Sequence, residues 1–359
     1  MFQVHTFPAQ DGDCFLLSYG DEGRPRHVLI DGGRASTYAT LRAALRGIAE
    51  QGGCLDLLVL THIDADHIEG FLKLAQDKTQ PVRVAQVWFN GFDQLSALEA
   101  FSPGQGDRFS DALHRLGWSW NTSFEGGSVS LAEGGKPRRI SLESGLQLTL
   151  LSPDSGKLST LRKAWQQWRD KKAVERETPP IVATPEELEE LGRRPIPYPI
   201  DVEALADEEQ ELDTTVHNGS SIAFIAGWER KRCLMAGDAH TDLLVNGLRS
   251  LAEEENGTYR IDLLKVSHHG SAGNTSRELL ELIDCPHFLF STDGSRHEHP
   301  DPQTISRILK YCHTTPKTLY FNHRQDYTTP WNMPSLCQRY RYECRFPETM
   351  VEGQIRVQV

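Results

Sequence analysis

The stretch "LVLTHIDADHIEG", Leu58 to Gly70, sets His62, Asp64, Asp66 and His67 within six positions at the end of an apolar run. Leu55–Leu60 carries no polar residue except Asp56, the pattern of a strand buried on both faces of a sheet. Ionisable groups are costly at such a place unless something compensates them, and divalent cations suit a mixture of imidazole and carboxylate. On an extended loop His62 and Asp64, two residues apart, point to one side. Asp66 and His67 then open a helix, where adjacent side chains diverge and can serve different ions. The positive helix N-terminus favours an ionised Asp66. An acidic loop that merely caps a helix would have to account for four such groups in six positions.

Four further segments place a ligand-capable residue where a strand begins or ends. "VHNGSSIAF" offers His217, "LMAGDAH" offers Asp238, "LLKVSHHGS" offers His268 and His269, and "STDGSRHEHPD" offers His297 and His299. Loops at one edge of a sheet sandwich converge, so these residues can meet although they are distant in sequence. Each also has a plainer reading: Asp238 as a helix cap, His268 and His269 as a solvated pair, His299 as a loop residue. Asp31 in "LIDGG" is read as a hydrogen-bonding anchor for the ligand loop. Asp11 and Asp13 are read as hairpin-turn residues, and His240 as a surface residue. Trp118, Trp120, Trp165 and Trp168 are read as core or interface packing in preference to a nucleotide-stacking surface.

Around these motifs the chain alternates short elements. "MFQVHTF", "CFLLSYG" and "RHVLIDGG" read as strands. "STYATLRAALRGIAEQ" has helical spacing and stops before a glycine pair. A helix follows the quoted motif, then the strand "VRVAQVWF", a helix over 107–117 and the strand "GLQLTLLSP". Residues 155–213 are rich in charge and proline and read as an insertion of short helices and mobile loops. From "SSIAFIAGW" the alternation resumes, with helices over 240–255, 275–284 and near 302–312, and closing strands. This order points to two sheets back to back with helices outside.

The 359 residues are 38% hydrophobic and 25% charged, an ordinary soluble composition. A net charge of −12 and a pI near 5.6 argue against a protein that holds nucleic acid by phosphate neutralisation alone. The seven cysteines form no CxxC pair, which fits a reduced setting. No apolar run is long enough to span a bilayer and the start lacks the layout of a secretory signal, so the expectation is a cytoplasmic protein without membrane partners.

The order HxDxDH, then H-x3-S before a strand, then GD, then HHGS resembles the metallo-β-lactamase fold superfamily. The superfamily motif usually reads HxHxDH, and Asp64 stands here for its middle histidine. That replacement, with "HHGS", a later "HP" and the opening "DGDCFLLSYG…VLIDGG", resembles the hydrolase domain of ComEC-type competence proteins and its stand-alone relatives. The resemblance covers nearly the whole chain apart from 155–213 and the extreme C-terminus. It implies an α/β fold of the αββα type, with two mixed sheets face to face and helices outside, forming a single domain over 1–359.

Carried over by residue, the resemblance implies one metal site from His62, Asp64 and His217. A second would use Asp66, His67 and His268, with Asp238 bridging the two. The implied cofactors are two divalent metal ions, zinc or manganese, and the oxygen of Asp64 moves the preference toward manganese or magnesium. Such a pair, roughly 3.5–4 Å apart, activates water for attack on phosphorus or a carbonyl carbon. Asp66, His299 and His269 are the candidate catalytic residues, the two histidines stabilising charge or protonating the leaving oxygen. The implied activity is that of a phosphodiesterase or nuclease on DNA, with RNA an alternative. A small phosphodiester, ester or lactone hydrolase and a non-catalytic, metal-stabilised interaction module are the rivals. The 155–213 segment is a candidate regulatory lid, released by a partner protein or a protease, and related stand-alone proteins point to anti-phage defence.

Overall fold

The computed structural model describes residues 1–95, 104–177, 196–348 and 352–359, without the side chains of residues 93, 94 and 171–177. Two large mixed sheets dominate it. The first runs, in spatial order, Arg356–Gln358, Phe2–Thr6, Phe15–Asp21, Arg24–Ile30, Leu55–Val59 and Val87–Trp88. The second runs Tyr342–Arg345, Lys317–Phe321, His287–Phe290, Leu263–Lys265, Lys231–Met235, Ala223–Trp228, Gln147–Ser152 and Arg138–Ser141.

Three apolar clusters define four layers. Between the sheets, Val28, Ile30, Leu57 and Val59 of the first meet Leu148, Phe224, Met235 and Leu263 of the second. Alternate residues of the same strands face outward: Leu29 and Leu58 pack against Leu41 and Leu45 of the helix Tyr38–Glu50 and Ile68 and Phe71 of the helix Ala65–Gln76. On the far side, Leu234 and Leu264 pack against Leu244 and Leu248 of the helix Thr241–Glu254 and Ile305 and Ile308 of the helix Pro302–Tyr311. Both faces of the central strands are covered, so their sequences are largely apolar. Asp56, alone among the polar residues in Leu55–Val59, accepts hydrogen bonds from Tyr19 Oη at 2.5 Å and Arg26 Nε at 2.8 Å. The αββα arrangement expected from the sequence is the one observed.

Strand direction places the chemistry. Arg24–Ile30, Leu55–Val59 and Val87–Trp88 are parallel, as are the strands from Lys231–Met235 through Tyr342–Arg345 in the second sheet. Their carboxyl ends share one rim, where ligands collect in open α/β sheets. Asp31, His62, Asp238, His268, His269, His297 and His299 all follow such ends. Asp13 reaches the same rim from the other direction, because Phe15 pairs antiparallel with Ile30. The rim is tightly built: a Cβ on Gly70 would lie 1.9 Å from the Gly32 carbonyl oxygen, so the helix bearing the second half of the motif sits directly on the "DGG" loop.

Several local expectations change. "VRVAQVWF" forms only the two-residue strand Val87–Trp88, with an isolated bridge between Leu55 and Val84. The helix expected over 275–284 is confined to Arg277–Glu281, and a helix, Pro334–Tyr340, lies among the closing strands. The segment 155–213 opens with one helix of 23 residues, Ser155–Glu177, in place of short helices and loops. Leu158, Leu161, Trp165 and Arg169 are buried along it at helical spacing, a stripe hidden in the sequence by the charges between them. Its other end is also integral, since Val202, Leu205 and Ala206 are buried in the outer core of the second sheet. Residues 178–195, the heart of the expected lid, lie outside the described residues. No described helix is long and apolar enough to cross a membrane.

Candidate metal centre

Asp238 follows the strand Lys231–Met235 and is 3% exposed, too buried for a carboxylate without compensation. Its Oδ2 faces the Nε2 atoms of four histidines: His67 at 3.4 Å, His269 at 3.5 Å, His62 at 3.8 Å and His268 at 4.0 Å. Two of these histidines come from the loop and helix after Leu55–Val59 and two from the turn after Leu263–Lys265.

Each imidazole is held from behind through Nδ1. That of His67 lies 2.8 Å from Asp31 Oδ2, that of His269 lies 2.8 Å from the Ser291 carbonyl, and that of His268 lies 3.0 Å from Asn274 Oδ1. His62 Nδ1 lies 3.0 Å from Thr61 Oγ1, which itself donates to Asp31 Oδ2 at 2.8 Å. With Nδ1 donating to these acceptors, the tautomer is set and Nε2 presents its lone pair to the cleft. Asp31, with φ of 56°, also accepts from the Thr61 amide at 2.8 Å. One carboxylate thereby orients both histidines of the first motif.

The donors divide around Asp238 Oδ2. On one side Asp66 Oδ2 lies 3.6 Å from His67 Nε2 and 3.4 Å from His269 Nε2. With the two distances to Asp238, four edges of a polyhedron measure 3.4–3.6 Å. Tetrahedral bonds of about 2.0–2.1 Å give edges of roughly 3.3–3.4 Å, so these residues fit a divalent ion. Nε2 of His62, His67 and His269 are buried without any hydrogen-bond partner, as polar atoms awaiting a ligand would be. On the other side His62 Nε2 lies 3.6 Å from Asp64 Oδ2, a wider arrangement completed by His268 across Asp238.

Here the structure departs from the ligand sets implied by resemblance. His269, not His268, faces Asp66. Residues 268 and 269 both have left-handed backbone, with φ of 46° and 54°, which costs strain in a bulky residue and turns the second ring inward. The His268 amide donates to the Gly237 carbonyl at 3.0 Å, tying the turn to the loop that carries Asp238. His217 is half-exposed at the rim, its Nδ1 2.8 Å from Asp64 Oδ1, and reaches the cluster only through that carboxylate. His299 stands behind His268, with ring centroids 5.5 Å apart and its Nδ1 3.4 Å from Asp301 Oδ1, while His297 lies a further 5.9 Å along. His240 is buried, in contrast to its reading as a surface residue, with Nδ1 2.9 Å from Lys157 Nζ.

Three participants had no reading in the sequence that placed them here. Asp13 and Lys265, both fully buried, form an ion pair, and Lys265 Nζ also lies 3.6 Å from Asp238 Oδ1 and donates to the Gly237 carbonyl at 3.1 Å. Asp213 Oδ2 accepts from Asn218 Nδ2 at 2.8 Å and Asn274 Nδ2 at 3.0 Å, and lies 3.4 Å from His268 Nδ1. The lysine in the apolar run "DLLKV" is the signal that marks Lys265, whereas Asp213 is lost among the charges of its segment. Asp13, His67, Asp238 and His269 also offer a compact set, one atom from each within 4.8 Å of the others. Asp13 is already neutralised by Lys265, so Asp66 is the better donor.

Electrostatics follow from this geometry. Burial by itself raises the Asp238 carboxyl, but the imidazoles of His269, His67 and His268 hold it well below the usual range. Burial by itself lowers His67 and His269, and the carboxylates around them, Asp238 first, outweigh it and raise both well above the ordinary value. His299 is lowered, chiefly by burial.

Residues 11–134, which include the whole of the first motif, match the family model described as the Metallo-beta-lactamase superfamily. That is about a third of the chain, and the two mixed sheets with helices outside them are consistent with the metallo-β-lactamase fold. Fold and site together define a metallo-β-lactamase-like protein with a buried cluster suited to metal binding. Among solved structures, one that the chain is similar to is a mutant of CmlA β-hydroxylase, with a TM-score of 0.41 and 11% identity over 100% of this chain and 54% of that one. Another is human tRNase Z, short form, with a TM-score of 0.43 and 10% identity over 99% of this chain and 98% of that one. The chain thus spans about half the length of the hydroxylase. No curated protein matches it.

Proposed function

We propose that the protein is a metal-dependent phosphodiesterase whose preferred substrate is nucleic acid, DNA before RNA. One observation carries the reading: four histidines, each anchored through Nδ1, aim Nε2 at a single carboxylate oxygen of Asp238. Asp66, His67, His269 and Asp238 would hold one divalent ion, zinc or manganese, and His62, Asp64, His268 and Asp238 a second, with His217 supporting Asp64. Bound there, the ions supply an ionised water for attack and neutralise charge on the substrate oxygens.

The chain's own residues do the rest. Lys265 and Asp13 fix Asp238 from behind, so its Oδ2 stays between the two donor groups. His268 and His299 line the rim where a leaving oxygen would emerge, and His299, its Nδ1 3.4 Å from Asp301 Oδ1, would hold or pass a proton there. Divalent ions held there would make the floor of the site cationic in an otherwise acidic protein, favouring an anionic substrate over a neutral amide. From the resemblance of its motifs to stand-alone ComEC-type relatives, we further propose a role in anti-phage defence under control of a protein or protease partner.

The test is to purify the protein, measure its bound metals, and incubate it with plasmid, single-stranded DNA, RNA and a simple phosphodiester, with and without added manganese. Cleavage that is lost in Asp66→Ala and His67→Ala is the expected result. Cleavage unchanged in both variants overturns the site. Cleavage of the simple diester and of no polymer moves the assignment to small substrates.

A further inference from the structure

Beside the metal rim lies an apolar pocket of about 210 Å³ whose described walls belong to four separate parts of the chain. Trp165 and Trp168 come from the helix Ser155–Glu177, Ile63 from the first motif, Gly104 to Gly106 from the start of the helix Gln105–Leu116, and His217 from the short helix Val216–Gly219. A Cβ on Gly106 would lie 2.5 Å from Trp165 Cη2, and one on Gly104 3.2 Å from Trp168 Cη2, so both indoles close onto glycine backbone.

Two features join this pocket to the site. Ile63 sits between His62 and Asp64, and on extended backbone it must point away from the face they share. The ligand loop therefore has the metal donors on one side and a pocket wall on the other. His217 is also common to both, lining the pocket while its Nδ1 meets Asp64 Oδ1 at 2.8 Å.

We infer that this pocket is a subsite for one nucleobase of a single-stranded substrate, next to the phosphodiester held at the metal centre. This rests on the phosphodiesterase reading above. The volume is below the roughly 300–1,000 Å³ of pockets that take whole drug-sized ligands, so it suits a single ring system and not a complete nucleotide. Trp168 and His217 present aromatic rings to the pocket, with the largely buried Trp165 also in its wall, and bases stack on such rings without sequence preference. Gln105, also in the wall, carries an amide that can both donate to and accept from a base edge. Among the described residues, no carboxylate lines the pocket. A base in a duplex cannot enter without leaving its stack, so the subsite selects single strands, ends and unpaired positions.

The experiment compares thymidine 5′-(p-nitrophenyl phosphate) with methyl p-nitrophenyl phosphate, using the metal-loaded full chain and its Trp168→Ala and Trp168→Phe variants. The base-bearing diester is expected to have a KM about tenfold lower than the methyl diester, a preference that collapses toward unity in Trp168→Ala and is largely kept in Trp168→Phe. A wild-type enzyme with no preference, or a preference that survives Trp168→Ala, overturns the subsite. If neither diester is cleaved, the phosphodiesterase reading fails, and binding still decides the subsite. The wild-type protein should then bind oligo(dT) about tenfold more tightly than an abasic oligomer of equal length. Equal binding of the two oligomers overturns the inference, whichever variants fold.

Discussion

Lys265 Nζ lies 3.6 Å from Asp238 Oδ1 while Asp238 Oδ2 faces the histidines, so one buried carboxylate is gripped by a protein cation on one oxygen and leaves the other for the cleft. Lys265 is fully buried and also paired with Asp13, and these charges lie where water cannot compensate them. Replacing Lys265 with Met strands two carboxylates. Metal-free Lys265→Met should lose about 3–5 kcal/mol of stability to urea unfolding. The double variant with Asp13→Asn should recover part of that loss. A double variant whose loss equals the sum of the single losses would show that the pair is not coupled.

The inward turn at residues 268 and 269 makes a prediction that separates neighbours. Mass spectrometry of bound metal should show His269→Ala losing the ion held with Asp66 and His67, leaving at most the one beside His62. His268→Ala should keep the Asp66-side ion. Identical metal content in the two variants would contradict the placement.

Asp31 is fully buried and orients His67 and Thr61. Its removal should act through the ligands it holds, and Asp31→Ala should weaken metal affinity by about 10–100-fold, measured by competition with a chromogenic chelator. An affinity equal to that of the wild type would mean that the imidazoles hold their positions without it.

The raised His67 and His269 define a pH dependence. In the metal-free protein the carboxylates around them, Asp238 first, favour the protonated form of both, so an ion must compete with protons to reach Nε2. Metal affinity should therefore rise with pH until both imidazoles are neutral. Calorimetric titration at pH 7 in two buffers of different ionisation heat should detect net proton release, and a release of zero would refute the assignment. Without metal, the stabilisation from these imidazoliums is complete below their unfolded value and is lost as pH rises through the folded one. The metal-free protein should thus become easier to unfold on the alkaline side.

Much of the site could be read from local pattern. The apolar run Leu55–Leu60 ending in HxDxDH announces a buried strand followed by ligands, and "LMAGD" and "KVSHHG" repeat that signal at two more strand ends. Periodicity of two and of 3.6 likewise announced the strands and helices that make two sheets with outer helices. The reading failed where pattern is overlaid by charge. Leu158, Leu161 and Trp165 form a buried stripe in a helix that looks like a solvated segment, and Asp213 is one of many acids around it.

What the sequence determined by itself was the kind of fold and the kinds of donor, because strand burial and ligand chemistry are written in neighbouring residues. Only tertiary structure decided which donors meet. Between His268 and His269 the choice rests on two successive left-handed residues tied to the Gly237 carbonyl, and the partnership of Asp13 with Lys265 joins positions 252 residues apart. Such choices depend on strand direction and register, which bring separate loop ends to one rim, and no short stretch of chain carries that information.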